Sequence, residues 1–167
     1  GVWRVIEENY HNNPEKFVEG LYKLGIASPL NLDIPGAAKK PNIRMPNKNN
    51  WSRTALAWMS IGYETQVPPI STLTFYNAIA NNGVMVKPKF VKAIVKDGEV
   101  IEEIPTEVIN PAIASPKTIE QIQVILEKVV SEGLGKQAGS KQFHVSGKTG
   151  TAQVSQGAGG YKTGTMQ

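Results

Sequence analysis

The sequence contains no cysteine among its 167 residues. This absence excludes a disulfide scaffold, a cysteine-ligated metal site and thiol catalysis, and it leaves the cellular compartment open. Histidine is nearly as scarce, because His11 and His144 are the two in the chain, and they lie too far apart for a metal-ligand spacing. We expect neither a metal ion nor another cofactor.

A long apolar run and an ordinary protein start are also missing. No stretch of about 18 apolar residues occurs, so no segment is expected to cross a membrane. The first residues, Gly1 to Arg4, include no initiator methionine and no signal-peptide pattern, and the glycine-rich residues 157–167 stop without a closing element. We interpret the chain as an internal piece of a longer protein.

Charge is present but not concentrated. The chain has 18 lysine and arginine residues against 14 acidic ones, a net charge of +4, and its lysines are scattered. This distribution is typical of a solvated surface, so nucleic acid is not an expected partner. Because 40% of the residues are apolar and no segment is of low complexity, the chain is expected to be globular, as one domain or a large part of one.

Helical periodicity dominates the first quarter of the sequence. Apolar spacing predicts a helix from Val2 to Tyr10. A second helix is predicted to start at Asn13 and Pro14, a cap followed by a first-turn proline, and to stop at Gly25. Its apolar face comprises Phe17, Val18, Leu21 and Leu24. Residues 28–50 contain four prolines and are predicted to form a long irregular connection.

Two further helices are predicted near the middle of the chain. A short one spans Trp51 to Met59, with Ser52 as a candidate cap and Gly62 as the stop. The next begins at Pro68-Pro69 and stops at residues 81–83, which read Asn-Asn-Gly. Its predicted apolar face comprises Ile70, Leu73, Tyr76 and Ala80.

The second half adds strands and one long helix. Residues 84–86 and 90–95 are predicted to be extended, and Asp97-Gly98 predicts a hairpin turn before a return strand at Val100-Ile101. A helix is predicted from Ser115-Pro116 to Gly133, and residues 145–154 are predicted to form a strand. The apolar stripe of that helix comprises Ile119, Ile122, Ile125, Leu126, Val129 and Val130. This order predicts an α+β fold whose antiparallel sheet lacks some strands.

The segment from Ser146 to Gln153 reads Ser-Gly-Lys-Thr-Gly-Thr-Ala-Gln. On a strand beside a cleft, Lys148 would offer a cation to a substrate carboxylate, while Thr149 and Thr151 would offer hydroxyl donors. Gly150 has no side chain, so a ligand can approach the backbone, where a free N–H can stabilise an oxyanion. These features favour a peptide-like acyl substrate, although Lys-Thr-Gly alone also occurs by chance in surface turns.

The segment resembles the third motif of penicillin-binding proteins and serine β-lactamases. The surrounding sequence is similar to class B penicillin-binding proteins, the monofunctional transpeptidases. Residues 58–64 and 68–73 resemble their glycine-tyrosine segment and the helix after it, and residues 76–88 resemble the following helix and strand. Leu24 to Ile26 with Pro35-Gly36 also fits the pattern of the class B proteins. The resemblance therefore covers nearly the whole chain. It is closest to the division-specific, septal branch.

This resemblance implies a fold and a place in it. The chain, residues 1–167, would be part of an α+β, penicillin-binding and serine β-lactamase-like transpeptidase domain. It would start after the Ser-x-Asn motif and end shortly after the Lys-Thr-Gly strand. None of the nine serines is followed by lysine three residues on or by asparagine two residues on, so the other two family motifs are absent. The chain alone is therefore expected to be inactive.

The resemblance also implies a mechanism, acyl transfer from a stem peptide ending in D-Ala-D-Ala through a nucleophilic serine. Lys148 would support the network around the second-motif serine. Thr149 and Thr151 would bind the carboxylate of the substrate or antibiotic, and the Thr151 N–H would be an oxyanion donor. Ser146 and Gly150 would line the same binding site. Tyr63 would line the cleft, and loop packing is an equally good interpretation of that residue.

The implied partners are peptidoglycan stem peptides, β-lactams and other cell-wall synthesis and division proteins. The implied location is the extracytoplasmic, periplasmic face of the bacterial inner membrane, with an anchoring N-terminal helix that is absent from this chain. His144 is expected to have a structural or surface role, and the three tryptophans are expected to be core anchors.

Three other functions stay open: a penicillin-recognising sensor domain, a serine β-lactamase and a noncatalytic binding module. The segment at Gly62-Tyr63 and the long connection favour the transpeptidase.

Overall fold

The computed structural model describes residues 1–32, 34, 40–47, 49, 51–150, 153–155 and 160–166. For residues 153–155 and 161–166 it describes the backbone. The chain forms two compact units, residues 1–119 and residues 120–167. In the described part the α-helices are α1 (Val2–Tyr10), α2 (Pro14–Lys23), α3 (Ala55–Met59), α4 (Pro69–Ala80) and α5 (Pro116–Ser131). The strands are β1 (Asn42–Ile43), β2 (Thr65–Gln66), β3 (Met85–Val86), β4 (Ala93–Lys96), β5 (Glu99–Glu103), β6 (Val108–Asn110), β7 (Gln153–Ser155) and β8 (Tyr161–Met166).

The described strands pair in four small antiparallel sheets, β1 with β2, β3 with β6, β4 with β5, and β7 with β8. Helices together with separate small antiparallel sheets confirm the predicted α+β class and an incomplete sheet. A two-stranded sheet is marginal by itself, so these pairs depend on packing against neighbouring elements.

Helices α1 and α2 occur where the sequence predicts them. Asn13 precedes Pro14, the first residue of α2, and Gly25 adopts a left-handed φ of +83° just after the helix. Of the predicted apolar face, Val18 is fully buried and joins a core cluster with Ala27, Ile43 and Met59. Phe17, Leu21, Ile26 and Trp51 pack against that cluster. The first helices therefore build the core of the first unit.

The connection at residues 28–50 is not wholly irregular, contrary to prediction. Within it β1 pairs with β2, opposing Asn42 to Gln66 and Ile43 to Thr65. The strand was missed because two residues carry too little alternation to detect, and their partner lies more than 20 residues away. The predicted helix from Trp51 is also shorter than expected, since α3 begins at Ala55 with Thr54 as its cap residue.

The predicted apolar face of α4 is wrong. Leu73, Tyr76 and Ala80 are exposed, and the buried residues are Ser71, Thr74, Ala78 and Ile79. Apolar residues occur on several sides of this helix, so periodicity does not select one face. The buried Thr74 hydroxyl donates to the carbonyl of Ile70 at 2.8 Å. This bond gives the hydroxyl a partner that it would otherwise lack in the interior.

The hairpin forms as predicted. β4 and β5 pair with Lys96 opposite Glu99, and both turn residues have positive φ, +52° at Asp97 and +86° at Gly98. A two-residue turn with this backbone matches the twist of the strands it joins. Strand β6, which pairs with β3, was not predicted.

Helix α5 begins at the predicted cap, where the Ser115 hydroxyl accepts the N–H of Thr118 at 3.2 Å. Along the predicted stripe Ile119, Leu126 and Val130 are buried, and Ile122 and Val129 are half-buried. Ile125 is 56% exposed, so the prediction fails at that position. Ile125 stands a quarter-turn from Leu126 and therefore lies at the edge of the apolar stripe.

Candidate active-site segment

The Lys-Thr-Gly segment belongs to the second unit, and it is not a strand there. Residues 144–150 carry no strand, whereas β7 begins at Gln153. The strand predicted over residues 145–154 is therefore wrong for 145–150 and right for 153–154, and residues 151–152 lie outside the described part. A strand needs a neighbour to exchange hydrogen bonds with, and in the described part β8 pairs only with the stretch from Gln153 to Ser155.

Lys148, Thr149 and Gly150 are all exposed. The Lys148 ammonium donates to the carbonyl oxygen of Thr149 and lies 3.5 Å from the Thr149 hydroxyl. A cation and a hydroxyl therefore meet at one point of the surface, a combination that suits a carboxylate ligand. A Cβ built on Gly150 would meet nothing within 4 Å, so the backbone there is open to a close approach.

The segment ahead of Lys148 is fixed to α5 by its backbone. The N–H of Gly147 donates to the carbonyl of Leu126 at 3.1 Å. A Cβ at Gly147 would stand 3.3 Å from a methyl of Val130, a tight contact that glycine avoids. Residue 147 therefore rests directly on the helix, one residue before the lysine.

A side-chain contact joins the same two elements three residues earlier. Nδ1 of His144 lies 2.7 Å from a carboxylate oxygen of Glu127, the helix residue after Leu126. The hydrogen bond to Glu127, and next the negative charge of that carboxylate, raise the pKa of His144 above its ordinary value of 6.5. The hydrogen bond and the charge of Glu127 both favour the charged imidazolium, so the contact is strongest when His144 is protonated.

A cavity of about 290 Å³ lies beside this contact. Glu127, Val130 and Ser131 line it from α5, and residues 139–145 line it from the loop. The Ser140 hydroxyl shapes that loop by accepting the N–H groups of Gln142 and Phe143. Lys148 is not among the lining residues, so the prediction that Lys148 reaches a groove stays a prediction.

Three other predicted site residues have different outcomes. Ser146 is exposed in the same segment. Thr151, the predicted carboxylate ligand and oxyanion donor, lies outside the described residues. Tyr63 belongs to the first unit, where its ring packs edge-on against Trp58 with centroids 5.3 Å apart at 84°. This contact matches the packing interpretation of Tyr63, and its role in binding stays a prediction.

Sequence reasoning missed Leu126 and Glu127 as supports of the motif. Glu127 is 17 residues from His144, and no local pattern links a mid-helix glutamate to a loop histidine. The one sequence signal for such a support was the position of His144, four residues before Lys148.

The part of the chain that the structure describes offers neither a metal-binding cluster nor a membrane-spanning helix. No group of three or more acidic or histidine side chains is arranged to hold a metal ion there. Among the helices described, none combines the length and apolar character needed to cross a membrane.

Comparisons with known proteins agree on one family. The family model described as the penicillin-binding protein transpeptidase domain matches residues 2–166. Penicillin-binding protein PbpB of Mycolicibacterium smegmatis is 32% identical over 148 residues, which are 84% of this chain and 22% of that protein. The probable peptidoglycan D,D-transpeptidase PbpC of Pseudomonas aeruginosa is 30% identical, covering 87% of this chain and 24% of that protein.

Among solved structures, penicillin-binding protein 3 of Mycobacterium tuberculosis in complex with aztreonam is similar, with a TM-score of 0.73 and 29% identity. The match covers 92% of this chain and 35% of the solved one. The chain therefore spans between a fifth and a quarter of the length of the curated relatives named above. On the strength of a family match over almost its entire length, the chain belongs to the penicillin-binding protein transpeptidase domain family.

Proposed function

We propose that the intact protein is a peptidoglycan D,D-transpeptidase that cross-links stem peptides by serine acyl transfer and binds β-lactams. The observation that carries this proposal is the family match over residues 2–166, which includes the exposed Lys-Thr-Gly segment. The curated relative from Pseudomonas bears that activity in its name, and the solved Mycobacterium relative holds aztreonam, a β-lactam. Septal wall synthesis is the cellular role favoured by the resemblance to the division-specific branch.

In this proposal the carboxylate of the stem peptide or antibiotic binds at Lys148 and Thr149. The support is local, since the ammonium and hydroxyl lie within 3.5 Å of each other on an exposed surface. Gly150 leaves the backbone open to the acyl group, Thr151 adds a second hydroxyl and an oxyanion N–H, and Ser146 borders the site. Tyr63 would line the cleft of the intact domain.

The nucleophile of the proposed reaction lies outside this chain. Each of the nine serines here lacks the lysine three residues on that the family uses to activate its nucleophile. The chain, residues 1–167, is accordingly proposed to be the part of the domain after the Ser-x-Asn motif. We further propose that the intact protein acts on the extracytoplasmic side of the membrane, as cell-wall penicillin-binding proteins do, with an anchoring helix elsewhere in its sequence and other wall-synthesis and division proteins as partners.

The test is covalent labelling of the intact protein with a fluorescent penicillin. We expect one label per protein, blocked by aztreonam, with mass spectrometry placing the acyl group on a serine that is followed by x-x-Lys. A long-lived adduct together with release of D-alanine from a stem pentapeptide in the presence of an amine acceptor supports a transpeptidase. Rapid hydrolysis of the adduct indicates a β-lactamase, and a stable adduct with no peptide turnover indicates a sensor. The absence of any label rejects penicillin binding.

A further inference from the structure

The segment that carries the Lys-Thr-Gly residues is attached to α5 at two neighbouring points. Gly147 bonds through its backbone to Leu126, and His144 bonds through its side chain to Glu127. The two helix residues are consecutive, and the two segment residues are three apart. One attachment would fix a position and leave the direction of the segment free, whereas two attachments fix both.

The second attachment point, Gly147, is the residue immediately before Lys148, so the attachments influence where Lys148 lies. Displacing a catalytic group by about 1 Å can lower a reaction rate by about a hundred-fold. The backbone bond at Gly147 does not depend on pH, and Val130 packs against the same glycine. The bond at His144 is between two side chains, one of which titrates near neutrality. One of the two attachments therefore involves a group whose charge changes with pH.

We propose that His144 and Glu127 are positioning residues that hold the Lys148 segment on α5, and that their contact weakens as His144 loses its proton. This inference rests on the proposed function, because its consequence is read as a rate of acylation. Neither residue is proposed to touch the substrate. The pair affects the reaction by setting the position and orientation of Lys148.

The sign of the pH dependence follows from the contact. Glu127 is the carboxylate that faces His144 from α5, and Lys141 is the charged residue that lines the adjoining cavity from the loop. The hydrogen bond and charge of Glu127 raise the pKa of His144 above 6.5. The contribution of the pair is therefore complete below about pH 6.5 and is lost as the pH rises through the raised pKa.

The His144 side chain is 92% exposed and that of Glu127 is 44% exposed, so solvent screens the pair and its effect on the rate is modest. We expect His144→Gln and Glu127→Gln to slow acylation about two- to five-fold at about pH 6. At about pH 9 both variants are expected to match the wild type, because the imidazole is then neutral in the wild type as well. The quantity compared is the ratio of wild-type to variant rate at each pH, which removes the pH dependence of the nucleophile itself.

Two matched variants sharpen the test. His144→Lys keeps a cation up to about pH 10, so its rate relative to wild type is expected to hold at low pH and to exceed one at high pH. His11→Gln is the control, since His11 is the other histidine of the chain and, in the first unit, its ring nitrogen lies 2.6 Å from a carboxylate oxygen of Glu7. Its ratio is expected to equal one at every pH.

The experiment measures the acylation rate constant of the intact protein with a fluorescent penicillin between about pH 6 and pH 9, together with the thermal midpoint of each variant. A ratio that changes with pH for His144→Gln and Glu127→Gln, and not for His11→Gln, supports the inference. Wild-type rates for both variants at about pH 6 overturn it and leave the proposed function intact. A ratio that is lowered equally at all pH values, with a lowered thermal midpoint, also overturns it, since that pattern reports a structural role. An intact protein that takes no label rejects the proposed function and this inference together.

Discussion

Single glycines decide the local path of this chain at two places. Gly25 stops the chain after α2 with a left-handed backbone, and a Cβ there would stand 3.1 Å from the terminal methyl of Met85. Gly147 is held against Val130 immediately before the candidate carboxylate-binding lysine. Both glycines allow a close approach, the first between two segments of the core and the second between the motif and its supporting helix.

The first prediction uses two glycines of neighbouring sequence. Gly25→Ala is expected to lower the free energy of unfolding by about 1–2 kcal/mol, because alanine resists a positive φ and its methyl crowds Met85. Gly20→Ala, inside α2 with nothing within 4 Å of the added methyl, is expected to raise stability by about 0.5–1 kcal/mol. Chemical denaturation of the intact variants measures both. Equal effects of the two substitutions would contradict the assigned backbone at Gly25.

The second prediction concerns Lys148. Removing its ammonium in Lys148→Ala is expected to slow acylation of the intact protein by about a hundred-fold or more, by analogy with the loss of one preorganised electrostatic group. The thermal midpoint is expected to change little, since the side chain is exposed. Lys117→Ala, another exposed lysine at the start of α5, provides the control. An undiminished labelling rate in Lys148→Ala would remove this lysine from the site.

Among the elements, α5 connects the fold to the candidate site. Its first turn is capped by Ser115, and its last turns carry Leu126 and Glu127, which hold the motif segment. Ile119 packs near Gly83 in the first unit, where a Cβ on the glycine would meet the isoleucine side chain at 3.2 Å.

The third prediction separates two neighbouring residues of that helix. Leu126 is 8% exposed and Ile125 is 56% exposed, although both belong to the predicted stripe. Leu126→Ala is expected to cost about 2–4 kcal/mol of stability, from lost burial and the cavity left behind. Ile125→Ala is expected to cost about 0.5 kcal/mol or less. Chemical denaturation distinguishes them, and similar losses would mean that the intact domain covers Ile125.

On the scale of the whole molecule, the residues that the structure describes form helices and four separate two-stranded sheets. Several large apolar side chains on these elements are exposed, among them Leu73 on α4 and Ile101 on β5. The chain spans between a fifth and a quarter of the length of the two curated relatives named above.

The fourth prediction follows from the absence of a Ser-x-x-Lys motif in this chain. This chain alone is expected to take no label from a fluorescent penicillin, because none of its serines has the activating lysine three residues on. The intact protein, which the proposed function expects to be labelled under the same conditions, serves as the positive control. Stoichiometric, heat-stable labelling of the isolated chain on a denaturing gel would show that a serine within it is the nucleophile.

The amino-acid sequence by itself determined the helix starts at Pro14 and Ser115, the helix stop at Gly25, the turn at Asp97-Gly98 and the family motif at Lys148. These are local signals, because a cap, a left-handed glycine and a two-residue turn depend on a few adjacent residues. Only the tertiary structure decided which face of α4 is buried, which two-residue segments pair as strands, and that Glu127 meets His144. Those outcomes depend on residues distant in the chain, and a contact across 17 or more residues leaves no periodic trace in the sequence.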